Sequence, residues 1–109
     1  MKNFQASAVE RRITVQGEFA SHPMEAGWAS EAIFFLIIEE MRASALLNAR
    51  VEISSDGINW IPEGTSFEPI ERPGHYFAKV SHFGNWLRIS GGLPIGATAK
   101  LSIHLHLKG

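Results

Sequence analysis

The chain has 109 residues, with ten basic side chains against eleven acidic ones and no cysteine. That length suits one domain over residues 1–109, because only chains below about 40 residues usually need staples to hold a core. The missing cysteine excludes disulfides, thiolate catalysis and cysteine-ligated metal, and the near-even charge without a basic run excludes a nucleic-acid footprint.

Met1 to Ser7 lacks the apolar centre of a signal peptide. The longest apolar run, Ala32 to Ile38, is too short for a membrane span. These features predict a soluble protein of the cytoplasm or of a virion. The first strand is expected over about 9–20, with Ile13, Val15 and Phe19 on one face, until His22-Pro23 stops the ladder. Trp28 to Glu40 follows. A helix would stripe Ile33, Leu36, Ile37 and Met41, but the Phe/Ile-rich content favours a strand, with Glu39 to Asn48 as a loop or short helical turn.

Arg50 to Ile61 reads as a hairpin, with Asp56-Gly57 supplying a tight type I′ turn. Pro62, Pro69 and Pro73 predict an unpaired connection from Pro62 to Gly74. His75 to His82 resumes as a strand that places Tyr76, Ala78 and Val80 on one face. Phe83-Gly84-Asn85 turns, Trp86 to Ser90 runs back, and Gly91 to Gly96 reads as a flexible loop. From Ala97 to Lys108 apolar and polar residues alternate without a break, the signature of a strand buried on one side and wet on the other. Seven or eight such strands predict an all-β antiparallel sandwich, jelly-roll-like or Greek-key, with a closed barrel as the competitor.

Ser55-Asp56-Gly57-x-x-Trp60, an aromatic strand, Trp86-Leu87-Arg88 and the alternating terminal strand together resemble small β-sandwich modules. Such modules occur in phage virion proteins and in bacterial proteins of unassigned function. The resemblance covers about residues 31–109 and implies a structural role, such as a head, decoration or tail component. It implies that the element, Ser-x-Asp-Gly-x-x-Trp in such modules, is a hairpin and that the later Trp and Arg belong to a neighbouring strand. It carries over no catalytic residue.

No residue pattern here specifies a reaction. Glu39, Glu40, Glu63, Glu68 and Glu71 lack the fixed pairing that glycosidic acid–base work needs, and no nucleophile elbow surrounds Ser55. The expected protein is therefore non-enzymatic and needs no cofactor. It works by self-association or by docking on other subunits of an assembly. Phe77, Trp86, Arg88, Leu93 and Ile95 are the candidate interface residues; Phe34, like Phe77, falls outside the inward phase, and Phe4 is a further apolar side chain near a terminus. A second reading is a glycan-binding module with Tyr76 and Trp86 as stacking platforms, while Trp60 covers one end of the core. A third is a metal site. His104-x-His106 puts two imidazoles on one strand face, with His75, His82 or Glu52 as a further ligand, although Lys100 and Lys108 on that face repel a cation.

Overall fold

A computed structural model describes residues 3–43 and 45–109. Met1 and Lys2 of the N-terminal stretch, and Ser44 within the ambiguous helix extension, lie outside the described residues. The described chain contains nine strands and no helix. They are β1 (Phe4–Gln16), β2 (Glu18–Ala20), β3 (Met24–Glu25), β4 (Glu31–Arg42), β5 (Asn48–Ser54), β6 (Ile61–Ser66), β7 (Gly74–Ser81), β8 (Trp86–Gly92) and β9 (Thr98–Lys108).

Two antiparallel sheets pack face to face. The first has the order β1-β9-β4-β7; the second has the order β2-β8-β5-β6, with β3 continuing beside β8. The pairings nest. First and last strands join, then β2 and β3 with β8, then β4 with β7, and finally β5 with β6. A long hairpin rolled so that β9 meets β4 and β8 meets β5 has this order, which is that of a jelly roll.

Local chemistry explains the corners. Gly17, at φ 59°, is the single residue between β1 in the first sheet and β2 in the second. Leu47 and Ile70 exchange backbone hydrogen bonds of 2.8 and 2.9 Å, tying together the two loops that cross between sheets after β4 and β6. Between Glu10 and Ile13 the β1 register slips, and Arg12 adopts φ 48°. Its amide there donates to the buried Ser102 hydroxyl at 2.9 Å.

The core lies between the sheets. Across the first sheet, the rows Ala32–Leu107, Phe34–Leu105, Leu36–Ile103 and Ile38–Leu101 face inward, and from the second come Ala49, Val51, Leu87 and Ile89. Full burial of a Leu, Ile or Phe is worth about 1.5–3 kcal/mol, so this double layer carries the hydrophobic stabilisation.

Several expectations change. The first strand starts at Phe4 rather than near residue 9. β4 continues to Arg42, where a loop or helical turn was expected to begin at Glu39, because β9 offers pairing partners as far as Thr98. The Asp56-Gly57 element is not a two-residue type I′ turn. Among non-glycine residues with positive φ Asp56 is absent, and the loop runs from Ser55 to Trp60. Pro62 does not prevent pairing: β6 is an edge strand, where a missing N–H costs no ladder bond, and Pro62 sits opposite Glu52. Gly91 and Gly92 belong to β8 and not to a loop. Phe34 points inward and is fully buried.

Candidate functional site

Paired residues of an antiparallel sheet share a face, so the registers define the outward surface of the first sheet row by row. The rows are Phe4–Lys108–Glu31–Ser81, then Ala6–His106–Ile33–Lys79, then Ala8–His104–Phe35–Phe77, then Ser102–Ile37–His75. Phe4 and Phe77 are 59% and 60% exposed, and Ile33, Phe35 and Ile37 are half-buried between them. The aromatic rings touch. Phe35 and Phe77 lie 6.4 Å apart, and His106 lies 4.8 Å from Phe35 and 5.6 Å from Phe4 in an edge-on arrangement.

Charged side chains stand at both ends of this apolar strip. Glu31, Lys79 and Lys108 mark one end, where Glu31, Ile33, Lys79 and Ser81 border a shallow hollow of about 390 Å³. At the other end Arg12 pairs with Glu39 at 3.1 Å, Arg42 with Glu40 at 2.6 Å, and Lys100 approaches Glu39 at 4.0 Å.

The outward face of the second sheet is polar. Glu52 is buried there, with Arg88 at 2.7 Å and Arg50 at 3.2 Å on its two oxygens. The Arg88 guanidinium lies 4.3 Å from the Trp60 ring centroid, so Trp60 stacks on this face instead of capping the core. Trp86 also faces outward, opposite Ser54, and packs so closely that a Cβ on Gly57 would lie 3.1 Å from it. Trp60 and the expected platform Trp86 are thus both engaged within the chain.

The loop beside them is built on Asp56. One carboxylate oxygen accepts from the Asn59 and Ile58 amides, each at 2.8 Å, and from Ser54 Oγ at 2.9 Å. The other accepts from Asn59 Nδ2 at 2.9 Å. These donors, the Asn59 amide first and the Ile58 amide next, hold the Asp56 carboxyl well below the usual carboxylate range. Asp56, with Ser54 just ahead of the Ser55-Asp56-Gly57 element, therefore works as loop architecture.

The candidate residues do not form one surface. Phe77 lies on the first sheet, Trp86 and Arg88 on the second, and Ile95 at a fully exposed loop position. Leu93 is 8% exposed and belongs to the core, so it is not an exposed anchor. Tyr76 is half-buried against the core, donates to the Arg72 carbonyl at 2.7 Å, and lies in the opposite sheet from Trp86; the two rings make no shared platform. His104 and His106 do share a face, with His75 two strands away. Glu52 lies on the other sheet and is taken by arginines, so it cannot complete their ligand set. Among the described residues no group of three or more His, Asp or Glu is placed to hold one metal ion.

Ile33, Phe35 and Ile37, which lie between Phe4 and Phe77 on this face, are absent from the interface that the sequence pattern predicts. A signal for all three is present. Ala32 to Ile38 is apolar at every position, and a strand of that kind expects cover on both faces.

No described helix is long and apolar enough to cross a membrane. No family model matches this chain, and no curated protein matches it. Among solved structures it is similar to the crystal structure of dimeric latent PorU from Porphyromonas gingivalis, at a TM-score of 0.39 and 12% identity over 99% of this chain. The chain spans 13% of the length of that one, and a likeness of this degree assigns neither family nor function.

Proposed function

We propose that this protein is a non-enzymatic assembly subunit that pairs with a second copy of itself through the outward face of the first sheet. The observation that carries the reading is β4, apolar on both faces in a sheet covered on only one. An antiparallel sheet with one wet side normally alternates, and here Ile33, Phe35 and Ile37 interrupt the polar phase.

The size of the face supports a second copy as the occupant. The strands β1, β9, β4 and β7 hold 13, 11, 12 and 8 residues; at about 3.3 Å per residue and about 4.8 Å between strands they present roughly 700 Å². A stable interface buries about 600–1,000 Å² per partner, so one face against one face falls within that range. Its layout also has the usual order, with aromatic and aliphatic anchors in the middle and charges of both signs at the rim. A particle shell is the specific setting of the proposal, and it rests on the resemblance of the Ser55–Trp60 and Trp86–Arg88 elements to virion modules.

Light scattering after size exclusion over a range of concentrations tests the proposal. The expected mass is that of a dimer for the native chain and of a monomer for Phe77→Glu. A native monomer at every concentration would remove the reading.

A further inference from the structure

On the paired face proposed above, we infer a zinc site that neither copy can complete alone: His104 and His106 of one chain together with the same two residues of the second. One chain holds an incomplete ligand set. Positions i and i+2 of β9 put both imidazoles on the outward face, and no third ligand joins them among the described residues. Zinc bound by imidazole in a closed site takes four ligands in a tetrahedron. One chain offers half of that.

The half-site is in the right place to be doubled. β9 is an interior strand of the sheet, between β1 and β4, so His104 and His106 sit within the apolar strip and not at its rim. They are half-buried. Of the histidines, only His22 makes side-chain hydrogen bonds among the described residues, which leaves the ring nitrogens of His104 and His106 without a protein partner. Phe4 and Phe35 pack on either side of the His106 ring and restrict its motion.

The distances of stacked sheets suit the metal. Sheets pack about 10 Å apart, so an ion midway lies about 5 Å above each backbone. Residues i and i+2 are about 6.6 Å apart along the strand, and a midpoint ion is then roughly 6 Å from either Cα. An imidazole arm ending in a Zn–N bond of about 2.0–2.1 Å spans that distance. A two-fold axis through the midpoint of the pair supplies the same two ligands from the other side.

Lys79, Lys100 and Lys108 share the face and oppose a cation. Lys100 has Glu39 at 4.0 Å, a carboxylate it shares with Arg12 at 3.1 Å, and Lys108 lies in register with Glu31, so carboxylates offset the lysine charge only in part. Arg12, Glu40 and Arg42 lie at the far end of the face, and His75, on β7, is separated from β9 by the intervening β4. The surrounding lysines weaken the site, so the effect calls for free zinc in the micromolar range and is a tightening of an association that the apolar strip already drives.

The test is sedimentation equilibrium of the full chain in EDTA and in zinc chloride, with calorimetric titration of zinc and the variants His104→Gln, His106→Gln and His75→Gln. The expected result is a monomer–dimer midpoint at least about tenfold lower in zinc, one zinc per two chains, and reversal by EDTA. His104→Gln and His106→Gln should each remove the zinc effect and leave the metal-free dimer intact, while His75→Gln retains it. A metal-free dimer whose midpoint zinc does not move overturns the zinc inference and leaves the paired face standing. Binding of one zinc per chain, or a zinc effect that survives both β9 variants, also overturns it. A monomer under both conditions overturns the paired face and the zinc site together.

Discussion

Arg88 grips the Glu52 carboxylate at 2.7 Å on the solvent side of the second sheet, while the other side of the same strands is core. Glu52 is only 6% exposed, because Arg88 and Arg50 close over it from the adjacent and the same strand. Removing one member of such an array leaves the others desolvated without a partner. Glu52→Ala is expected to destabilise the fold by about 2–3 kcal/mol, less than a fully buried pair would show because Arg50 remains half-exposed. Urea unfolding checks this, with the midpoint falling and the slope unchanged.

Gly91 is required by close approach. A Cβ there would collide with the Asn48 carbonyl oxygen and come within 3.0 Å of Phe19 Cζ. The carbonyl is backbone of the paired strand and cannot rotate aside. Gly91→Ala is expected to cost about 2 kcal/mol or more, at the upper part of the range for overpacking. Gly64→Ala makes a useful contrast: φ there is +115°, with open space around it, so any cost measures backbone strain alone. Thermal unfolding of the two variants reads the difference.

The Asp56 loop should weaken in acid. Its folded-state carboxyl titrates below the ordinary value of 3.8, so the unfolded chain takes up the proton first as pH falls. The stability this group adds is fully present above that value and is lost progressively below it. Asp56→Asn is expected to be less stable than the native chain at neutral pH, with the gap narrowing below about pH 3.8. Unfolding midpoints of both proteins across pH 2–7 check the trend.

Much of the fold was legible because burial on one side writes itself as alternation. Ala97 to Lys108 and Tyr76, Ala78 and Val80 display the period of two, and the structure places those apolar sets inward. Phe34 was misread because its neighbours are apolar on both faces, which erases the phase that distinguishes in from out. Leu93 was misread because a loop residue gives no parity, and its burial depends on how the chain turns between sheets. The outward face of the first sheet was harder still. Its Phe4, Ile33, Phe35 and Phe77 come from three strands, and only the nested registers bring them into adjacent rows.

Substitution on that face should leave the fold intact. Phe77 is 60% exposed, so Phe77→Glu is expected to change unfolding free energy by less than about 0.5 kcal/mol while reducing self-association. Leu105→Ala, at a fully buried position on β9, gives the opposite signature, with a loss of about 3–5 kcal/mol. Denaturant curves beside gel-filtration profiles separate the two effects.

The central claim concerns which faces meet, and small-angle X-ray scattering of the associated species tests it most directly. The Cα trace of one chain measures 46 × 26 × 20 Å. Stacking through the outward face of the first sheet thickens the particle and leaves its longest dimension near the 46 Å of one chain, allowing for side chains and hydration. Association through strand ends or through the Ile95 loop would instead lengthen it to nearly twice that value. A short, thick dimer is the predicted result; a long, thin one, or a monomer at all concentrations, would contradict the account.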